Sequence, residues 1–483
     1  MTLHTPDAAT GSDAPSGIEQ FGYTQELKRT LKFSDLVIYG LIFMVPIAPF
    51  AIFGGVYQAS GGMPPLVYII ALVAMLLSAN SYAQMAQAFP MSGSVYTYAG
   101  RGIARPVGFV AGWMILLDYV LIPALLYLAA ALAMNGIVPF IPLWVWLVGF
   151  VALNTLINYL GIQLTALVNK WMLALELVVL VIFLVVGVVA LAQGKGQGFS
   201  FDSFFNPQTA SFGLLFGAAS IAVLSFLGFD AISTLAEENA GPSKQLGRSM
   251  FAALFLVGVL FVVQTWVASM LVQDPAALLS KGDPMGTAFY EAAANAGGPV
   301  MFILTAATTA IAWGFANALV AQAATSRLLY AMARDGQLPK FLSKVSARHS
   351  VPVNATFLVA GISLVLGIYL TILPDGLIAI SALVNFGALT AFLVLNFTVV
   401  WHFIVKQKSR RWFIHLVYPV LGFIILAFVL YNARASAQIL GIVWLAIGII
   451  AAIFLARRGR LSDPTRTAAV ADTAATAVDS EAK

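Results

Sequence analysis

From about Asp35 to Leu455 one pattern recurs: an apolar run of roughly 20 residues, a short polar connector, then another run. A helix of that length crosses the hydrocarbon core of a bilayer at about 1.5 Å per residue. In hydrocarbon the backbone must satisfy its own N–H and C=O groups, so only helices and closed barrels span. Barrel strands alternate polar and apolar residues, and these runs do not. Only 9% of the 483 residues are charged and 60% are apolar, whereas a soluble domain carries about a quarter charged. The sequence therefore specifies an all-α integral membrane protein. It has no cysteine for disulfide or thiol chemistry, and its four histidines are too scattered to hold a metal.

Runs and breakers together place twelve spans, at about 35–57, 64–89, 107–134, 143–161, 170–193, 212–237, 246–272, 300–329, 354–373, 376–402, 414–432 and 436–455. Residues 1–34 precede them without a signal peptide, and 457–483 follow as a mixture of Ala, Thr, Asp and Val without periodicity. Both are expected to be cytoplasmic tails, disordered over residues 1–20 and from Leu461 on. With both tails inside, all but Lys195, Lys281 and Arg434 of the 25 Lys and Arg fall on the cytoplasmic side. That bias sets the orientation in a cytoplasmic membrane. The net charge of +5 is thus a topology signal rather than a nucleic-acid footprint.

Two spans are interrupted. The first contains Pro46-Ile47-Ala48-Pro49; each proline removes a donor and clashes with the preceding turn, so the pair is expected to unwind the helix rather than kink it. The sixth contains Leu227-Gly228-Phe229-Asp230, a helix-weakening glycine beside a carboxylate. Spans one and six lie five apart, and residues 35–193 and 212–402 occupy similar lengths. This is the pattern of a five-plus-five inverted repeat, in which broken helices 1 and 6 meet at the midplane and make a binding site. The last two spans, within 414–456, are expected to pack on its flank or to make a homodimer contact.

Three carboxylates lie well inside spans without a cation at comparable depth: Asp118, Glu176 and Asp230. Asp118 is roughly 17 Å in from Val107 and Glu176 roughly 9 Å in from Lys170 at the helical rise. Buried carboxylates of this kind are either protonated or waiting for a cation. For Asp118 the plain alternative is a carboxyl bonded within the bundle, and for Glu176 a protonated, paired glutamate. Tyr119, Phe226 and Phe229 stand near these acids, and ring faces suit an ammonium group. Glu237 and Glu238 end the sixth span and are read as an inner gate with Arg101 or Arg327, or simply as a solvated helix end.

Several motifs carry a resemblance. Phe89-Pro90-Met91-Ser92-Gly93-Ser94-Val95-Tyr96-Thr97-Tyr98 with Gly108-Phe109-Val110-Ala111-Gly112-Trp113, and Ser326-Arg327-Leu328-Leu329-Tyr330-Ala331-Met332-Ala333-Arg334-Asp335-Gly336 with Pro352-Val353-Asn354-Ala355, resemble the amino acid, polyamine and organocation permeases. The likeness covers about residues 28–456. Leu117-Asp118-Tyr119, Ser225–Ala231 with Thr234-Leu235 and Glu237-Glu238, and Asn385-Phe386-Gly387-Ala388-Leu389 are most similar to the family's bacterial putrescine importers. The resemblance implies a twelve-helix, five-plus-five inverted-repeat transporter.

Departures are informative. Amino acid members have a glycine-rich stretch in helix one that binds the substrate carboxylate, where this chain has Pro46–Pro49, poor in donors for an anion. Asp230 stands where many members have glutamate, and Glu176 where several proton-coupled members have lysine.

The expected function is import of a small cationic amine, putrescine first, by proton or sodium symport. The substrate-binding residues are Asp230, Asp118, Tyr119, Phe226, Phe229, Gly228, Ile47 and Ala48, with Glu176 or Thr325 coupling the ion. The alternative keeps the fold and carries a neutral or cationic amino acid. An intramembrane protease using Asp118 and Asp230 would need a supporting catalytic motif that neither has, so no cofactor and no enzymatic activity are expected.

Overall fold

The computed structural model describes residues 29–458 apart from 91–93, 161–162, 237, 335, 337, 347–348 and 350, with the backbone alone at 163–169 and 331. Glu237 and most of both tails therefore lie outside the described residues. Within them every regular element is helical, and one isolated parallel bridge joins Leu31 to Asn239.

Among the described residues eleven helices are long and apolar enough to cross a membrane, and α1 (Phe33–Met44) with α2 (Pro49–Ala59), bent by 60° across residues 45–48, makes a twelfth if the pair is one span. The next are α3 (Pro64–Ala88), the short α4 (Ser94–Gly102), α5 (Arg105–Ile137), α6 (Leu143–Leu160) and α7 (Gln163–Ala192). The sixth span starts as α8 (Phe212–Ala222) and continues in tighter turns to Leu235. α9 (Lys244–Leu271) is followed by the connector helices α10 (Pro275–Lys281) and α11 (Ala288–Gly297). The eighth span is α12 (Pro299–Ile311) joined to α13 (Ala318–Arg334). α14 (Val353–Ile372), α15 (Gly376–Val399), α16 (Tyr418–Tyr431) and α17 (Ala435–Arg457) complete the chain.

Local chemistry explains where these helices begin. Proline occupies the first turn of α2, α3, α5, α10 and α12, where its missing N–H has no intrahelical partner to lose. Ser211 Oγ accepts from Leu214 N at 3.3 Å and Asp274 Oδ1 from Ala277 N at 2.9 Å, capping α8 and α10. The Asp283 carboxylate accepts from Thr287 N at 2.9 Å and Ala288 N at 3.1 Å where α11 starts.

The helices pack as two groups. The broken first and sixth spans pack with α3 and α9, while α5, α6, α13 and α14 pack on one another, and α15 lies against α5. α5 is the central post: 83% of its most apolar stretch is buried, against 22% for α17. Two of the three cations on the sparsely charged side are held locally, Lys195 by Ala296 O at 2.9 Å and Arg434 by Asp375 at 3.5 Å. On the basic side Thr30 N and Leu31 N donate to Glu238 O, and Ala240 N donates back to Leu31 O, each at 3.0 Å. The start of the first span is thereby stitched to the end of the sixth.

The contact between α4 and α5 depends on a missing side chain, since a Cβ on Gly108 would meet Gly100 Cα at 2.5 Å. Gly108→Ala is expected to cost about 1–3 kcal/mol through overpacking. Gly149→Ala, on α6 with nothing within 4 Å, should cost nothing or gain slightly in helix propensity. Thermal midpoints of the purified variants in detergent check the contrast: the first should fall and the second hold.

Candidate functional site

The break in the first span is a compact turn. Val45 has φ 53°, a strained conformation for a β-branched residue. Val45 N donates to Leu41 O at 3.0 Å, Ala48 N to Val45 O at 2.8 Å and Phe50 N to Ile47 O at 2.9 Å. Pro46 and Pro49 have no N–H to give. The freed carbonyl of Pro46 accepts from Gln264 Nε2 of α9 at 2.9 Å.

The sixth span breaks differently. α8 passes into i→i+3 turns over Val223–Phe226, Leu227 is extended, and Gly228 takes φ 106° before i→i+3 turns resume over Phe229–Leu235. Glycine is required twice over at this point: the φ is positive, and a Cβ would lie 2.8 Å from Phe43 Cβ. Ser220 O accepts from Asn385 Nδ2 of α15 at 2.6 Å.

Between the two helix groups these breaks leave a cavity of about 60 Å³, room for on the order of five small groups at ~10–15 Å³ per water. One wall is built from Phe43, Met44, Val45 and Ala48 with Leu224, Leu227, Gly228 and Asp230. The other is Asp118, Tyr119, Ile122, Leu125 and Leu126 of α5 with Trp313, Asn317, Ala321, Ala324 and Thr325 of the eighth span. Among the described residues the lining contains two carboxylates, one per wall, and no Lys, Arg or His. Asp118 is 5% exposed and Asp230 4%. Tyr82 Oη donates to Asp230 Oδ2 at 3.4 Å, while Asp118 Oδ1 has no partner among the described residues. Two acids in one enclosed space repel and are poorly solvated, and a cation relieves both conditions.

The sequence model of the amino acid permease family matches residues 35–465. The chain belongs to the amino acid permease family. It is 32% identical over 432 residues to the low-affinity putrescine importer PlaP of Escherichia coli, spanning 88% of this chain and 93% of that one. It is 28% identical over 467 residues to the branched-chain amino acid permease BcaP of Bacillus subtilis, covering 90% and 94% of the two chains. A methylthioribose transporter of Bacillus subtilis is 26% identical over 466 residues, covering 91% and 95%. The protein is a transporter of this family and not an enzyme.

The permease cavity gathers Asp230, Asp118, Tyr119, Gly228, Ala48 and Thr325, six of the residues singled out from the sequence. Ile47 is buried without lining it. Phe226 and Phe229 do not line it either. Phe226 packs on Phe261 at 5.0 Å and Tyr68 at 6.2 Å, and Phe229 on Tyr82 and Phe392, each at 5.5 Å. The break at Leu227 and Gly228, between two stretches of i→i+3 turns, leaves Leu224, Leu227 and Asp230 in the lining and both phenylalanines out of it. Thr325 Oγ1 lies 2.6 Å from Tyr119 O and 2.8 Å from Ala321 O. Glu176 is 4% exposed on the inward stripe of α7 with Leu173, Val179 and Phe183. Its Oε2 has no partner among the described residues, and it lies outside the cavity lining. Glu238 gives its backbone oxygen to Thr30 and Leu31.

Trp313 and Asn317 were not singled out from the sequence. Trp313 is 3% exposed, with Nε1 unpaired among the described residues, and it lines the cavity. Asn317 lies eight residues before Thr325, a helical spacing that was present in the chain as a signal, whereas Trp313 at twelve residues lies off that face in a regular helix.

Removing the Gln264 amide leaves Pro46 O buried and unpaired, at about 1–3 kcal/mol. Gln264→Leu is expected to lower the thermal midpoint of the purified permease, whereas Gln273→Leu, at an exposed position beyond the same helix, should leave it unchanged.

Proposed function

We propose that this permease is a secondary active transporter importing a cationic amine, with putrescine as the substrate. The observation that carries the proposal is a small cavity with one carboxylate on each wall and no cationic side chain among the described residues of its lining. A diamine has an ammonium group at each end and six non-hydrogen atoms, a size suited to room for about five small groups. Asp230 takes one ammonium and Asp118 the other, while Leu224, Leu227, Ile122 and Leu125 cover the methylene chain. Tyr119 and Trp313 offer ring faces to the charges.

The turn at 45–50 supports an amine over an amino acid. Its two prolines lack donors, and the amides of Val45, Ala48 and Phe50 already donate to carbonyls, so little is left for a substrate carboxylate. The likeness to the putrescine importer supports the same reading. The named branched-chain permease among the relatives keeps a neutral amino acid as the competing substrate.

The transporter sits in the cytoplasmic membrane with both tails inside, and the ligand arrives from the side opposite the basic connectors. Rocking of the broken-helix group against the α5 group exposes the cavity to each side in turn, with Glu238 at the inner gate. Proton symport is favoured over sodium, because a carboxyl buried in the span, Glu176, can take up and release a proton. Glu176, buried and with its Oε2 lacking a partner among the described residues, is the proton-coupling carboxyl.

Uptake into proteoliposomes tests this directly. Labelled putrescine should accumulate under an inward proton gradient, and excess unlabelled putrescine but not leucine should compete. Competition by leucine and not by putrescine would overturn the amine reading. Stranding a buried charge costs about 3 kcal/mol or more, so Asp230→Asn is expected to lower uptake efficiency by about 100-fold. Normal putrescine uptake by that variant would remove Asp230 from the site. Glu176→Gln should exchange internal for external putrescine yet fail to respond to a pH gradient; a retained response would reassign coupling.

A further inference from the structure

In the eighth span α12 passes to α13 through Ala312–Asn317, where i→i+5 pairing replaces i→i+4. Such turns are rare and cluster at functional sites. Nothing in Ala-Trp-Gly-Phe-Ala-Asn forces one, since the segment has no proline. The hold comes from the neighbouring helix α6. Asn154 Nδ2 donates to Gly314 O at 2.7 Å, and Asn158 Nδ2 donates to Leu319 O at 3.1 Å. Asn154 and Asn158 are one α turn apart, and Gly314 and Leu319 are one wide turn apart. The two amides therefore grip this turn at both ends. Gln322 reinforces the grip, accepting from Asn158 Nδ2 and donating to Thr155 Oγ1, both at 2.9 Å. Asn154 and Asn158 are buried, and neither lines the cavity.

The width of the turn decides what the cavity sees. In an α-helix, positions four apart drift by about 40°, so Trp313 would stand about 120° from Thr325 over three such steps. A wider turn takes up part of that drift and keeps Trp313, Asn317, Ala321 and Thr325 on one wall. Gly314 allows the close seat, because a Cβ there would meet Ala130 Cβ at 2.3 Å.

We propose that Asn154 and Asn158 are positioning residues that set substrate selectivity from outside the cavity, by fixing the register in which the wide turn presents Trp313 and Asn317. The inference rests on the cavity being the substrate site proposed above.

The test compares Asn154→Ala, Asn158→Ala, Trp313→Leu and the Asn154→Ala/Trp313→Leu pair in proteoliposomes, with putrescine and the one-carbon-longer diamine cadaverine. Asn154→Ala is expected to raise KM for putrescine about fivefold or more, with the maximal rate per inserted molecule within about twofold. It should also change the preference between the two diamines. If Asn154 acts through Trp313, the double variant should be no worse in KM than Trp313→Leu alone. An unchanged KM and preference, or additive losses in the double variant, would overturn the proposal. Should Asn154→Ala fail to insert as folded protein, Asn158→Ala with its own Trp313→Leu pair carries the same comparison from the other end of the turn. If the wild-type protein takes up leucine and not putrescine, only the amine reading fails. The variants are then compared on leucine against valine, and an unshifted ratio would sink the positioning role.

Discussion

A carbonyl freed inside hydrocarbon must find a donor, and that requirement shapes this structure wherever a helix departs from regular pairing. Three departures border the cavity, and at each a side-chain amide from a different helix supplies the donor. Gln264 reaches Pro46 O, Asn385 reaches Ser220 O and Asn154 reaches Gly314 O. In every case the amide's own oxygen has no partner among the described residues. The irregular backbone that shapes the cavity is thus held from behind, by residues that do not line it.

The two carboxylates follow a similar logic on the charge side. Asp230 rides on the broken sixth span and Asp118 on the α5 post, so the acids come from opposite helix groups. A single acid asks only for one positive group. Under the amine reading proposed above, a pair placed across a seam suits a ligand with charge at both ends, and the apolar residues of the same lining suit a methylene spacer.

Much of this was legible in the sequence. The spans could be read because hydrocarbon tolerates few charges, and the first break because Pro46 and Pro49 cannot keep a helix regular. Asp118, Tyr119 and Asp230 stood out as polar residues at depth. The orientation of Phe226 and Phe229 was hidden, since it depends on the i→i+3 pitch around Gly228, which residue identities do not reveal. Trp313 was missed because the wide turn that presents it has no local breaker to announce it and is met by a hydrogen bond from α6, a tertiary contact that residue identities do not reveal. Glu176 was read correctly as buried, but only the packing of α7 separates it from the cavity lining.

The stitch between Leu31 and Asn239 is made wholly of main-chain atoms, with Thr30, Leu31 and Ala240 supplying the amides. Side chains at these places can therefore drift over time without loosening it. Relatives need share no recognisable motif here to share the join, and proline at any of the three is the one replacement that would deprive it of a donor.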